Sequence, residues 1–165
     1  MIATGYEYWL NKRDRSGQSL PGRQHFDPIE MKEFLPHVVL TDVVRDHEHY
    51  RFRHRLIGTH IAEFLGREVT GRYIEHMGWL DIFDELYRRF AAAVDEQALI
   101  YGVSAAPGEK RGFMAYEHLT LPLASDGDTV DMLFGIRCAL PYADVSMARE
   151  YVVAPLVEHA DLHHL

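Results

Sequence analysis

The segment Tyr50-Arg51-Phe52-Arg53-His54-Arg55-Leu56-Ile57 alternates strictly. Arg51, Arg53 and Arg55 fall on one side, and Phe52, His54 and Leu56 on the other. Period-two alternation is the signature of a half-buried strand. A second strand-like run, His37–Val44, precedes it and is rich in Val and Leu. The joining Arg45-Asp46-His47-Glu48-His49 is too polar to bury, which predicts a hairpin. Gly58-Thr59 then breaks the strand. Thr59 suits an N-cap, and Ile61, Ala62, Phe64 and Leu65 form an apolar stripe at helical spacing.

Upstream, Gly5–Arg13 predicts a short helix with Tyr6, Trp9 and Leu10 on one side. Arg15–Gln24, with Gly17, Pro21 and Gly22, reads as a loop. Asp27-Pro28-Ile29-Glu30 has the capping residues of a helix start, and Pro36 ends that helix near Leu35. Downstream, Gly66 and Gly71 mark turns, and Tyr73–Met77 adds a little helix. Trp79–Gln97 is the longest predicted helix. Trp79, Phe83, Leu86, Tyr87, Phe90 and Val94 recur at three- and four-residue spacing, with Arg88 and Arg89 among the charged residues between them. Ala98–Ser104, Gly112–Leu123 and Thr129–Leu140 read as strands. Ala106-Pro107-Gly108-Glu109-Lys110 and the Asp126-Gly127 hairpin signal join them. The tail from Ala143 reads as a short final helix.

The 165 residues suit one domain with a real core. A formal net charge of −8 argues against nonspecific nucleic-acid binding, which rests on phosphate neutralisation. No apolar run approaches the roughly 20 residues that cross a bilayer, so no membrane contact is expected. The start, MIATGYEYWLNKR, lacks the pattern of a signal peptide, and Cys138 is the single cysteine. A cytoplasmic location is the expectation.

Two hairpin strands, a helical crossover and a three-strand meander make one antiparallel sheet covered by helices on one face, an α+β architecture. In this order the chain resembles a PAS domain, and in detail the alphaproteobacterial PAS family of small stand-alone proteins. The resemblance rests on Tyr8-Trp9, Asp27-Pro28, Leu35-Pro36, Asp42-Val43-Val44 and Tyr50-Arg51-Phe52-Arg53. It continues through Arg55-Leu56-Ile57-Gly58-Thr59, Gly66-Arg67-Glu68-Val69-Thr70-Gly71-Arg72, Leu121-Pro122-Leu123 and Asp126-Gly127, so it spans about Tyr8 to Leu140. It implies a PAS-like five-stranded antiparallel sheet from His37–Val44, Tyr50–Ile57, Ala98–Ser104, Phe113–Leu123 and Thr129–Leu140. The first and last strands should be neighbours at its centre. On this reading residues 37–142 form the PAS-like domain, 1–36 an N-terminal helical extension and 143–165 a C-terminal tail. PAS domains of other families bind haem, flavin, small acids or nothing, and signal through dimer contacts. The resemblance carries over no cofactor residue, so the cofactor is left open.

Eleven histidines raise the question of a metal or haem site. His47 and His49 sit in a polar turn with no third ligand at zinc-like spacing, and read as solvated. Glu158, His159, Asp161, His163 and His164 read as a solvated terminus. His54, His76 and His118 are possible haem ligands, each weighed below an ordinary hydrogen-bonded histidine. The arginine row of the second strand either docks an acidic partner or stacks against neighbouring carboxylates, and the second reading is preferred. Cys138 runs in phase with Met132, Phe134 and Ile136, which predicts a buried thiol. The region where light-sensing PAS domains carry a flavin-reactive cysteine reads His60-Ile61-Ala62-Glu63-Phe64-Leu65, without one. G-x-S-x-G, P-loop, G-x-G-x-x-G and H-E-x-x-H motifs are all missing.

These readings favour a non-enzymatic sensory or interaction module. The alternatives are a small enzyme of the ketosteroid-isomerase-like type and a haem-based sensor. The expected ligand pocket is lined by Phe52, His54, Leu56, Phe64, Phe83, Tyr87, Tyr101, Tyr116, His118 and Phe134, with a filled core as the rival arrangement. A small-molecule ligand, a signalling protein partner and a homodimer are the expected contacts. Tyr6, Trp9 and Leu10 are assigned to the dimer interface, on the argument that the sheet's second face needs cover.

Overall fold

The computed structural model describes residues 1–47, 49–78, 80–108, 112–140, 151–154 and 156. Helix α1, Ile2–Ser16, stops at Gly17, whose φ of 66° is the left-handed geometry that glycine adopts at a helix end without a Cβ penalty. Strands β1 (Val38–Asp46) and β2 (His49–Ile57) form the expected hairpin. Helix α2 (Thr59–Leu65) follows at once, capped by Gly58 rather than by Thr59, which is its first helical residue. Helix α3 (Leu80–Asp95) crosses back over the sheet, and β3 (Leu99–Gly108), β4 (Gly112–Leu123) and β5 (Met132–Ala139) complete the meander. Trp79 lies outside the described residues.

The sheet is antiparallel throughout and has six strands in the order β2-β1-β5-β4-β3-β6. The first strand and the last strand of the meander are neighbours in its interior, as expected, although the sixth strand shifts the centre of the sheet to β5 and β4. The sixth strand, β6, is Tyr151–Ala154 and pairs with the edge of β3. This corrects the helical reading of the tail over those residues; the acidic and histidine-rich end of the tail lies outside the described residues. The β3–β4 ladder also runs further than expected, to Gly108 opposite Gly112, so Pro107 and Gly108 belong to strand rather than loop.

Upstream of β1 the expected helix from Asp27 does not form. Asp27 does cap, accepting a hydrogen bond from the Ile29 amide at 2.8 Å, but the chain makes successive turns and a short 3₁₀ segment, Leu35–His37. Met31 and Phe34 are drawn into the core from these turns, while Glu30 pairs with Lys12 of α1 at 2.5 Å. Tertiary contacts win over a marginal short helix here.

Two faces follow from the strand registers. Thr41, Val43, Phe52, His54, Leu133, Gly135, Arg137, Tyr116, His118 and Thr120 share the face under α3. Leu40, Asp42, Phe134, Ile136, Leu119, Leu121 and Tyr101 share the other. Helix α1 lies on that second face. Its buried residues, Ile2, Gly5, Tyr6, Trp9 and Lys12, recur at helical spacing. The Trp9 indole N–H donates to the Pro122 carbonyl at 3.1 Å, and Phe26 packs on Phe134 with ring centroids 5.2 Å apart. So both faces of the sheet are covered by the chain itself.

Helix α1 sits so close to β5 that a Cβ on Gly5 would lie 1.6 Å from Ile136 Cδ1. Gly5→Ala should therefore lower stability, although alanine is the better helix former. Overpacking costs about 1–3 kcal/mol, against about 1 kcal/mol of helix propensity gained. A urea midpoint at or above that of the parent chain would show that α1 is not seated this closely.

Candidate functional site

Phe52 is fully buried under α3 and meets Phe90 and Tyr87 edge-on, at centroid distances of 5.2 and 5.6 Å. Phe83 stacks beside Tyr87, and Phe64 of α2 meets Tyr116 at 5.9 Å. These residues, with His54 and His118, occupy the face assigned to the pocket. Leu56, Tyr101 and Phe134 do not. A β-bulge between Leu40 and Thr41 places Leu40 opposite Leu56 but Thr41 opposite His54. One extra residue, Arg55, reverses the alternation, so Leu56 joins the α1 face. Tyr101 donates its hydroxyl to Glu117 Oε1 at 2.6 Å on that same face, where Phe134 packs with Phe26.

The face under α3 carries buried polar groups among its apolar side chains. Arg89 of α3 is only 4% exposed and reaches down to the sheet. Its Nη1 donates to Ser104 Oγ and to His118 Nε2, both at 2.6 Å, while Ser104 Oγ and His118 Nε2 are 3.0 Å apart. His118 Nε2 is therefore the unprotonated ring nitrogen. Burial first, and then the charges of Arg89 and Arg137, hold this imidazole well below its ordinary pKa. Nearby, Thr41 Oγ1 lies 3.0 Å from His54 Nδ1, and burial pushes the His54 pKa down to about 3, with Arg137 adding to the effect. Arg89 Nε has no hydrogen bond, and its nearest carboxylate oxygen, Glu85 Oε1, is 3.9 Å away.

Between α3, β4 and β5 these side chains enclose a cavity of about 10 Å³, lined by Leu86, Arg89, Phe90, Tyr116, His118, Thr120 and Arg137. That is room for about one water-sized group. Haem or flavin does not fit this space. His118 Nε2 is engaged by Arg89, His54 Nδ1 by Thr41, and His76 is exposed on the 3₁₀ turn Ile74–His76.

Sequence reasoning placed Tyr116 and His118 here but missed Arg89, Ser104, Thr120 and Arg137. Arg89 stands three residues after Leu86 and four before Ala93, both buried, on the shoulder of the apolar stripe of α3. That spacing was the available signal.

The other candidates lie apart from the cavity. Arg53 and Arg55 both pair with Asp42, at 2.8 and 2.7 Å, and Arg51 pairs with Glu75 at 2.7 Å, so the arginine row is held by neighbouring carboxylates. His47 is solvent-exposed with φ 55°. Cys138 is half-buried rather than buried, 4.0 Å from His37 Nδ1, and burial raises its thiol pKa. Tyr6 and Trp9 lie in the chain's own core, and Leu10 is half-buried beside it.

A sheet in this order, with α2 and α3 crossing one face over a small buried polar centre, is an α+β arrangement of the PAS type. The chain belongs to the PAS domain family: the family's sequence model matches residues 3–138 and so takes in α1. No curated protein sequence matches the chain. It is similar in structure to VqmA bound to DPO, at 13% identity and a TM-score of 0.54, covering 68% of this chain and 56% of that one. A Vibrio cholerae VqmA dimer, described in connection with its target DNA, matches at 12% identity and TM-score 0.52 over 68% of this chain and 50% of that one. The PAS domain of a Colwellia psychrerythraea protein matches at 12% identity and TM-score 0.51, covering 69% of this chain and 98% of that domain. The chain thus spans about half the length of the VqmA chains. Among the described residues, no helix is long and apolar enough to cross a membrane.

Proposed function

We propose that this chain is a non-enzymatic PAS sensory module that binds a small molecule between α3 and the sheet, at the Arg89–Ser104–His118 cluster. The carrying observation is the cluster itself. A guanidinium 4% exposed is expensive to bury, and among the described residues its partners are the neutral Ser104 and His118 and the Tyr151 ring at 5.8 Å, with no carboxylate in hydrogen-bond range. Electrostatically perturbed groups cluster at functional sites. VqmA, a protein of similar fold, is bound to DPO, which supports the reading that this architecture holds small molecules. Its DNA is not carried over, because the match covers about half of VqmA and this chain has a net charge of −8.

The output passes to a signalling protein or through a homodimer. Light scattering of the intact chain tests the dimer. Deleting α1 would not, since it removes Trp9 from the chain's own core. The ligand itself is tested by thermal-shift screening of a metabolite library against the parent chain and Thr120→Leu, which fills the cavity. A saturable rise in Tm that Thr120→Leu abolishes is expected. No response to any compound class would leave a pure interaction module, and isomerase or hydrolase turnover lost in His118→Ala would replace the reading with an enzyme.

A further inference from the structure

We infer that the cavity under α3 is a site for a small planar monovalent oxyanion, of the size of nitrate, nitrite, formate or acetate, held by Arg89 and Arg137. This rests on the ligand-binding reading above and names its ligand class.

The charge inventory around the cavity leads to it. Helix α3 contributes Arg89 and, at 3.9 Å from Arg89 Nε, Glu85, whose side chain is 32% exposed and which is the one carboxylate in ion-pair range of Arg89 among the described residues. Strand β5 contributes Arg137, with no carboxylate in ion-pair range among the described residues. Strands β3 and β4 contribute the hydroxyls of Ser104 and Thr120 and the ring of Tyr116, 5.8 Å from the Arg137 guanidinium. The histidines at hand, His118 on β4 and His54 on β2, have pKa values lowered by burial, so they add no positive charge near neutral pH. Two cations thus face a space with one partly solvated counter-charge at its margin. Burial pulls the Arg137 pKa below its ordinary value against the opposing effect of Tyr116, and the repulsion of Arg89 adds a smaller downward push. An anion entering the cavity would relieve both guanidiniums.

Shape and size narrow the class. A guanidinium presents a planar fork of N–H donors that matches a planar oxyanion in two parallel hydrogen bonds. Arg89 has used Nη1 on Ser104 and His118 and keeps Nε free of any hydrogen bond. About 10 Å³ admits one group of water size, so a three- or four-atom anion enters only as the side chains lining the cavity move apart, and the smallest oxyanions require the least movement. Citrate, nucleotides and larger acids would have to lift α3 off the sheet.

The test is thermal unfolding of the full chain in sodium chloride, with chloride replaced stepwise by nitrate, formate or acetate at constant ionic strength. A saturable rise is expected, of roughly 5–10 °C at a hundredfold excess over Kd. Arg137→Gln should weaken the response at least tenfold. Arg89→Lys, which keeps the charge but loses the fork, should weaken it too and guards against a variant that fails to fold. Equal Tm in chloride and in every oxyanion would overturn the inference. If neutral compounds from the library raise Tm while no anion does, the ligand-binding reading stands and the anion falls. If nothing raises it, both fall.

Discussion

Lowering the pH from 7.5 to 5 should weaken the folded chain by about 2 kcal/mol through His54, and His118 should add to the loss in the same direction. Both imidazoles are buried and neutral, with pKa values depressed below the ordinary 6.5. In the unfolded chain they titrate normally. Below pH about 6.5 the unfolded state therefore binds more protons, and stability falls as pH falls. Each such histidine contributes about 1.4 kcal/mol per pH unit. For His54 the loss continues until the pH reaches its folded-state pKa of about 3. Carboxylates add little above pH 5, because their unfolded pKa values lie near 4. Urea unfolding across this range measures the slope, and His118→Gln should reduce it. A stability unchanged between pH 7.5 and 5 would mean that the two rings are solvated, and the buried polar centre would not exist.

Trp9→Ala should destabilise the chain by about 3–5 kcal/mol, the range for truncating a large buried aromatic. Trp9 is 0% exposed, and its indole N–H holds the Pro122 carbonyl. Truncation leaves a cavity beneath α1 and strands that carbonyl. Trp9→Phe keeps most of the apolar contact and should cost less, about 1–3 kcal/mol. The two variants together separate packing from the hydrogen bond. A Trp9→Ala chain as stable as its parent would mean that α1 does not rest on its own sheet, and that face would then be free for a second copy.

The alternation Arg51–Phe52–Arg53–His54 was readable because a strand repeats every two residues and half-burial separates the faces. It failed at Leu56, since a bulge inserts one unpaired residue and leaves no compositional mark. Tyr101 and Phe134 were misplaced for a related reason. Which face a residue takes depends on the register between distant strands, and that is set only when β3, β4 and β5 pair. The covering of the second face by α1 turns on Gly5, whose missing side chain lets the helix approach Ile136. Hydropathy counts treat such a glycine as neutral. Arg89 was the costliest omission. A charged residue on a helix reads as solvent-facing, and only the burial of Leu86 and Ala93 beside it shows otherwise. The strand β6 has four residues, too short for periodicity to register.

Hydrogen exchange of the intact chain, with and without the compound or anion that raises Tm most, tests the sensory account most directly. A ligand seated at Arg89, His118 and Arg137 should slow exchange in α3 and in the paired stretches of β4 and β5, and leave the β1–β2 turn at His47 unchanged. Protection confined to the arginine row of β2 or to α1, with α3 unaffected, would place the ligand elsewhere and contradict the account.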